Sequence, residues 1–175
     1  MLNVHSYQAK DDMKRDRDDV ATILVVEDYD DVRSMLKLLL ESERFRVLEA
    51  ANGPEALKAV KAGHPDVIVT DLGLPGFDGF ETIRRIRKID GFQNTPIIVL
   101  TAHNEQAAYE TAFRAGTNYF MVKPVDFDEL ESLLQNILMN RNGKTPKETR
   151  LPAQRAGIIK KPGSRPGMRE IRCAP

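Results

Sequence analysis

Residues 22–28 read TILVVED. An uninterrupted β-branched and aliphatic run stops abruptly at two carboxylates, Glu27 and Asp28. A strand with one wet face alternates apolar and polar residues. A continuous run instead suits a strand covered on both faces, as in a parallel sheet. Three further runs have the same character: VIVT at 67–70, IIVL at 97–100 and YFMV at 119–122. RVLEA at 46–50 is a weaker fifth.

Helical patterns lie between and after these runs. Residues 30–43 place Val32, Met35, Leu36, Leu39 and Leu40 on one helical face. Residues 54–62 open with Pro54 after Asn52 and Gly53, a helix-start signal. Residues 80–89 align Phe80, Ile83, Ile86 and Ile89. Residues 105–115 stop before Gly116, and 126–139 begin with acidic residues, which suit a helix N-terminus. Strand then helix, five times, implies an α/β fold with right-handed crossovers. Five strands in this length fit a flavodoxin-like, doubly wound (βα)5 fold with a five-stranded parallel sheet of order 2-1-3-4-5.

The rest of the chain bounds this unit. The chain has 175 residues, 41% hydrophobic and 30% charged, as in ordinary globular proteins. No apolar run approaches the ~20 residues needed to span a bilayer, and the N-terminus lacks a signal-peptide apolar region. A cytoplasmic location is the default expectation. A single cysteine, Cys173, makes neither an intramolecular disulfide nor a cysteine zinc site. Formal net charge is zero, but its distribution is uneven. Residues 1–19 carry −1, residues 20–140 carry −7 and residues 141–175 carry +8. The first 19 residues are polar and aperiodic, and read as a flexible lead. Residues 141–175 hold five of the ten prolines and few large apolar side chains, so they are expected to be a disordered basic tail. The folded domain is placed at 20–140.

In a doubly wound sheet, ligands bind beyond the carboxyl ends of the strands. The five runs end there in a distinctive set. The first ends in Glu27 and Asp28, the third in Asp71, the fourth in Thr101, and the fifth in Lys123 followed by Pro124. Three carboxylates in one crevice repel each other unless a cation, the lysine or raised pKa values relieve them. Oxygen ligands suit a hard cation, Mg²⁺ or Mn²⁺, which typically takes one or two carboxylates and a phosphate oxygen. Lys123 can meet a phosphate oxygen as a point charge, and Thr101 adds a hydroxyl donor. A carboxylate is also a competent nucleophile toward phosphorus. Nucleophile, metal cradle, cation and hydroxyl are the parts that phosphoryl transfer requires. Each residue alone is unremarkable: a loop carboxylate, a turn cap, a solvated lysine. Their joint placement at the ends of the right strands points to a site.

The sequence here resembles the receiver domains of two-component response regulators. The resemblance runs over about residues 21–140 and is carried by ILVVED (23–28), DLGLPGFDG (71–79), PIIVLTA (96–102) and AGTNYFMVKP (115–124). It implies that Asp71 is the phosphoacceptor, with Asp28 a direct metal ligand, Glu27 a ligand through water and the Gly73 carbonyl completing the protein's share. It implies that Thr101 swings toward the phosphoryl group, that Lys123 pairs with it, and that Phe120 is the aromatic that turns inward in response. The Lys123–Pro124 bond is expected to be cis. By the resemblance, Gly73 and His103 fall at positions that vary and tune phosphoryl lifetime, although His103 by itself reads as a solvent-exposed residue. The donor would be a sensor histidine kinase or a histidine phosphotransfer protein. The family is a switch with self-catalysed phosphorylation and dephosphorylation, not a turnover enzyme.

The expectation is therefore a stand-alone, single-domain regulator of the chemotaxis type. It would signal through the face made by its fourth helix, fifth strand and fifth helix. Two alternatives stand beside it: a nucleic-acid-binding regulator using the basic tail, and a scaffold that never carries phosphate. Specific nucleic-acid binding is disfavoured by the lack of a helix-turn-helix pattern and of interleaved aromatics. His5 and His64 suggest no site. Arg84, Arg85, Arg87 and Lys88 read as a solvated helix face.

Overall fold

The computed structural model of the chain describes residues 20–76, 78–102, 106–141 and 158–160. In chain order the elements are β1 (Thr22–Val26), α1 (Asp30–Ser42), β2 (Arg46–Ala50), α2 (Gly53–Gly63), β3 (Val67–Thr70), α3 (Gly79–Arg87), β4 (Ile97–Thr101), α4 (Gln106–Ala115), β5 (Tyr119–Val122), α5 (Phe127–Arg141) and β6 (Ile158–Lys160). The first five strands are parallel and ordered 2-1-3-4-5. The continuous runs are the covered strands: every residue of β1, β3 and β4 is buried. β2, the weaker run, is the edge strand and is largely open.

Alternation along β1 divides the core in two. Leu24 and Val26 pack with Ala56 and Val60 of α2, Ile83 and Ile86 of α3, and Ala112 and Ala115 of α4. Ile23 and Val25 pack with Leu36 and Leu40 of α1 and with Leu130, Leu133, Leu134 and Ile137 of α5. Two helices cover one face and three the other, as a doubly wound sheet requires. Local signals set the helix starts. Asn52 caps α2 by accepting from the Glu55 N–H (3.0 Å), and the Glu55 carboxylate accepts in return from the Ala51 N–H (2.8 Å). Asp78 caps α3 by accepting from the Glu81 N–H (2.6 Å).

Two features depart from the sequence reading. The sheet has six strands, because Ile158–Lys160 pairs antiparallel with β5. Those three residues lie in the segment expected to be disordered. A three-residue strand among prolines and glycines leaves no readable period, and it forms because β5 offers an open edge. Arg141, the first residue of that segment, ends α5; the rest of the segment and the lead at 1–19 lie outside the described residues.

The second departure is Arg87, which is not a solvated helix residue. Its guanidinium donates to the carbonyls of Phe92 (2.9 Å), Thr95 (2.6 Å) and Gly116 (3.0 and 2.8 Å), and to Asn118 Oδ1 (2.8 Å). Burial lowers its pKa to about 10, and among the described residues its partners are carbonyl oxygens rather than carboxylates. Arg84 and Arg85 do fit the surface reading, both pairing with Glu81.

Candidate functional site

The parallel register brings the carboxyl ends of β1, β3 and β5 together. Backbone bonds hold the ends in line. Glu27 N–H donates to the Ala50 carbonyl (3.1 Å), Asp71 N–H to Val26 (3.0 Å) and Lys123 N–H to Thr101 (2.8 Å). Asp71 follows directly on β3. Its Oδ1 accepts from the N–H groups of Leu72 (2.5 Å) and Gly73 (3.0 Å), so the turn after the strand fixes the carboxylate's orientation.

Lys123 Nζ bridges two of the carboxylates. It lies 2.5 Å from Asp71 Oδ2 and 2.7 Å from Glu27 Oε2. The Glu27 side chain is 2% exposed, that of Asp71 12% and that of Lys123 26%. Burial raises the Glu27 carboxyl above its ordinary 4.5, and Lys123 only partly offsets this. Burial depresses the Lys123 ammonium, but the carboxylates of Asp71 and Glu27 outweigh it, and the net shift is upward from 10.5. Glu27 Oε1 is buried and has no hydrogen-bond partner among the described residues. The Glu27 carbonyl accepts from the Arg33 guanidinium (2.7 Å), which also pairs with Asp30 and Glu49.

A glycine makes this packing possible. A Cβ on Gly79, the first residue of α3, would meet the Asp71 carbonyl oxygen and Leu72 Cα, both at 2.5 Å. The absent side chain lets α3 close onto the strand end, with Gly79 N–H donating to the Leu72 carbonyl (3.0 Å). Gly73 is exposed, and a Cβ there would stand 3.8 Å from Asp71 Oδ1. Any side chain at Gly73 would therefore border the Asp71 carboxylate.

The other anticipated residues take these positions. Thr101 is fully buried at the end of β4. Phe120 is fully buried in β5, edge-on to Tyr109 of α4 with ring centroids 4.3 Å apart. The Lys123–Pro124 peptide bond is cis. Asp28 is half-buried beside Glu27. His103 lies outside the described residues. Sequence reasoning assigned no role to Gly79 or Tyr109, and it read Arg87 as part of a solvated helix face. Gly79 had one available signal, its place just after Asp78 at a helix start.

The donor set suits a hard cation. Among the described residues, no group of three His, Cys, Asp or Glu side chains is gathered tightly enough to hold a metal by itself. Magnesium does not need one, because it takes one or two carboxylates and completes its shell with carbonyl, water and phosphate oxygens. The unpartnered, buried Oε1 of Glu27 is a further oxygen acceptor available to that shell, directly or through water.

A doubly wound sheet with a lysine bridging two strand-end carboxylates defines a phosphoacceptor-type signalling domain, and the comparisons name the family. Residues 23–135 match the response regulator receiver domain, and the chain belongs to that family. Its members are phosphoacceptor switches of two-component phosphorelays and typically bind Mg²⁺. The chain is 39% identical over 117 residues to transcriptional regulatory protein AfsQ1 of Streptomyces coelicolor, covering 67% of this chain and 51% of that protein. It thus spans about half the length of that relative. It is 32% identical over 116 residues to sporulation initiation phosphotransferase F of Bacillus subtilis, covering 66% of this chain and 92% of that protein. Among solved structures it resembles a putative response regulator from Chloroflexus aurantiacus J-10-fl. That match has 37% identity and a TM-score of 0.64, and covers 68% of this chain and 98% of the other. No helix among the described residues is long and apolar enough to cross a membrane.

Proposed function

We propose that Asp71 accepts a phosphoryl group from a phosphohistidine on a sensor kinase or phosphotransfer protein, and that the chain acts as a single-domain regulator in a cytoplasmic phosphorelay. The observation that carries this reading is the Lys123 ammonium held between Asp71 and Glu27. It holds Asp71 Oδ2 at the mouth of the sheet while the turn N–H groups hold Oδ1, so the carboxylate is positioned to act as a nucleophile. In the transfer, a phosphorus–oxygen bond to Asp71 forms as the donor's phosphorus–nitrogen bond breaks, and the electron pair returns to the imidazole. Lys123 then shifts from the carboxylates toward the new phosphoryl oxygens, offering the same charge to a larger anion. Thr101 supplies a hydroxyl to that anion, and Phe120, beside the strand pair β4–β5, follows.

Asp28, Asp71, Glu27 through water, and the Gly73 carbonyl would hold Mg²⁺. When bound, the ion supplies charge stabilisation for the transferring phosphoryl group. Gly73 leaves the Asp71 carboxylate open on one side, which favours access of water and so shortens the phosphoryl lifetime. His103, two residues beyond Thr101, would tune the same lifetime. The output is a changed affinity of the α4–β5–α5 face for a protein partner, limited by how differently that partner binds the two states.

The test is incubation with acetyl phosphate and Mg²⁺, read as intact mass. A phosphate-sized gain is expected in the wild type, and none in Asp71→Asn or without metal. No gain from acetyl phosphate or from any of a panel of phosphohistidine donors would overturn the proposal in favour of a phosphate-independent scaffold.

A further inference from the structure

The outer edge of β5 is where this chain's own tail returns to the domain. Ile158–Lys160 runs antiparallel to β5, with Tyr119 opposite Lys160, Phe120 opposite Ile159 and Met121 opposite Ile158. β5 is otherwise the last parallel strand of the sheet, and its free side would present a row of backbone donors and acceptors. Such an edge is a docking surface for any extended peptide, bound through its main chain. It lies between α4 and α5 in chain order and contains Phe120.

We infer that residues 158–160 are an intramolecular occupant of this edge, and that a partner adding a strand to β5 must first displace them. Three observations favour the tail as occupant. It is seated there in register. Its sequence, IIK between Gly157 and Lys161, has the β-branched character of a short strand. Its covalent link through residues 142–157 makes docking unimolecular, at an effective concentration of the order of mM for a short connection. A strand of three residues makes few ladder bonds, so the seat opens readily, and a partner with a longer strand outcompetes it. The tail therefore sets a threshold rather than a block. The register gives the seat a second meaning, which rests on the phosphoacceptor reading above. Phe120 lies on the strand that the tail pairs, opposite Ile159, so a shift of the β5 backbone on phosphorylation of Asp71 and docking of the tail would bias one another reciprocally.

Amide hydrogen exchange on the unphosphorylated full chain tests the seat, independently of any phosphoryl chemistry. Three forms are compared: wild type, a chain lacking residues 158–160, and Ile158→Pro/Ile159→Pro. Successive N–H groups of a strand point to opposite sides, so one of the two prolines removes a donor aimed at β5 whatever the pairing phase. In both altered chains the alternate amides of 119–122 that face the tail strand should exchange at least about tenfold faster, while those of β5 that face β4, and those of β1 and β3, keep their rates. A peptide of residues 153–164 should restore protection to the shortened chain in a dose-dependent way, and should do so less effectively in the wild type. Equal β5 protection in all three forms overturns the inference. So does wild-type protection that rises with chain concentration, because the strand would then come from a second copy. Acetyl phosphate labelling separates the two readings. Faster β5 exchange with no labelling by acetyl phosphate or by any phosphohistidine donor keeps the tail seat and refutes the phosphoacceptor reading and the coupling with it, whereas labelling with unaltered β5 exchange refutes the tail seat alone.

Discussion

Replacing Lys123 with Met removes the one cation between two carboxylates while keeping most of the side chain's volume. Glu27 and Asp71 then face each other, with the Glu27 side chain 2% exposed and that of Asp71 12%. Removing one partner of a buried ion pair costs about 3–5 kcal/mol, because the remaining charge is left uncompensated. The Lys123 side chain is 26% exposed, so water screens part of the loss and the lower end, about 3 kcal/mol, applies at pH 8. At about 4 °C per kcal/mol, that lowers the melting temperature by about 12 °C. The sign of the pH dependence follows from Glu27, whose pKa is already raised by burial and rises further without the lysine. A raised carboxyl stabilises the fold below its unfolded value and loses that contribution as pH climbs through the folded value. The deficit of Lys123→Met should therefore shrink on acidification, by up to about 1.4 kcal/mol per pH unit below the raised pKa. Urea unfolding at pH 8 and pH 5 measures this, alongside Glu27→Gln and the double variant. Glu27→Gln should offset much of the Lys123→Met deficit, with a coupling above ~0.5 kcal/mol. Magnesium chloride should also offset it, by about 2.7 kcal/mol at a hundredfold excess over the dissociation constant. A deficit that is the same at both pH values and additive with Glu27→Gln would refute the electrostatic account of the site.

Three further outcomes are expected. Gly79→Ala forces a methyl against the Asp71 carbonyl and Leu72 Cα; it should destabilise the fold by about 1–3 kcal/mol and slow acetyl phosphate labelling, as followed by intact mass. Thr117 is fully buried, and its hydroxyl has no partner among the described residues, so Thr117→Val should raise stability by about 1 kcal/mol in urea unfolding. The Lys123 pKa is raised above 10.5, so its contribution is intact below that value and lost as pH rises through the folded value; alkaline unfolding should steepen above pH 10.5 in wild type and not in Lys123→Met.

The sheet was legible because burial on both faces writes itself as unbroken apolar runs, which β1, β3 and β4 carry. Even β2 was found, although its exposed Arg46 and Glu49 weaken the pattern. The strand-end cluster followed from the fold, since parallel strands deliver their last residues to one edge. That the lysine could relieve the carboxylates followed from the same convergence; its choice of Glu27 as a partner beside Asp71 did not, because that pairing spans most of the domain and leaves no local mark. Arg87 was misread for a related reason. Its helical position is half-buried by loops at Phe92, Thr95 and Gly116, and helical period says nothing about loops that fold back over a helix. The tail strand owes its existence to an acceptor edge elsewhere in the chain, not to its own composition.

The two borders of the sheet differ in what they would do in a crowded solution. β2 carries Arg46 and Glu49, both exposed, and charge on a border strand repels stacking between molecules. β5 reads YFMV, with no charge and high strand propensity, a stretch suited to self-association through its main chain. β6 closes that border and ends in Lys160. The tail strand thus also acts as a gatekeeper of colloidal behaviour, and a chain trimmed to residues 20–141 would expose a border strand that carries no charge.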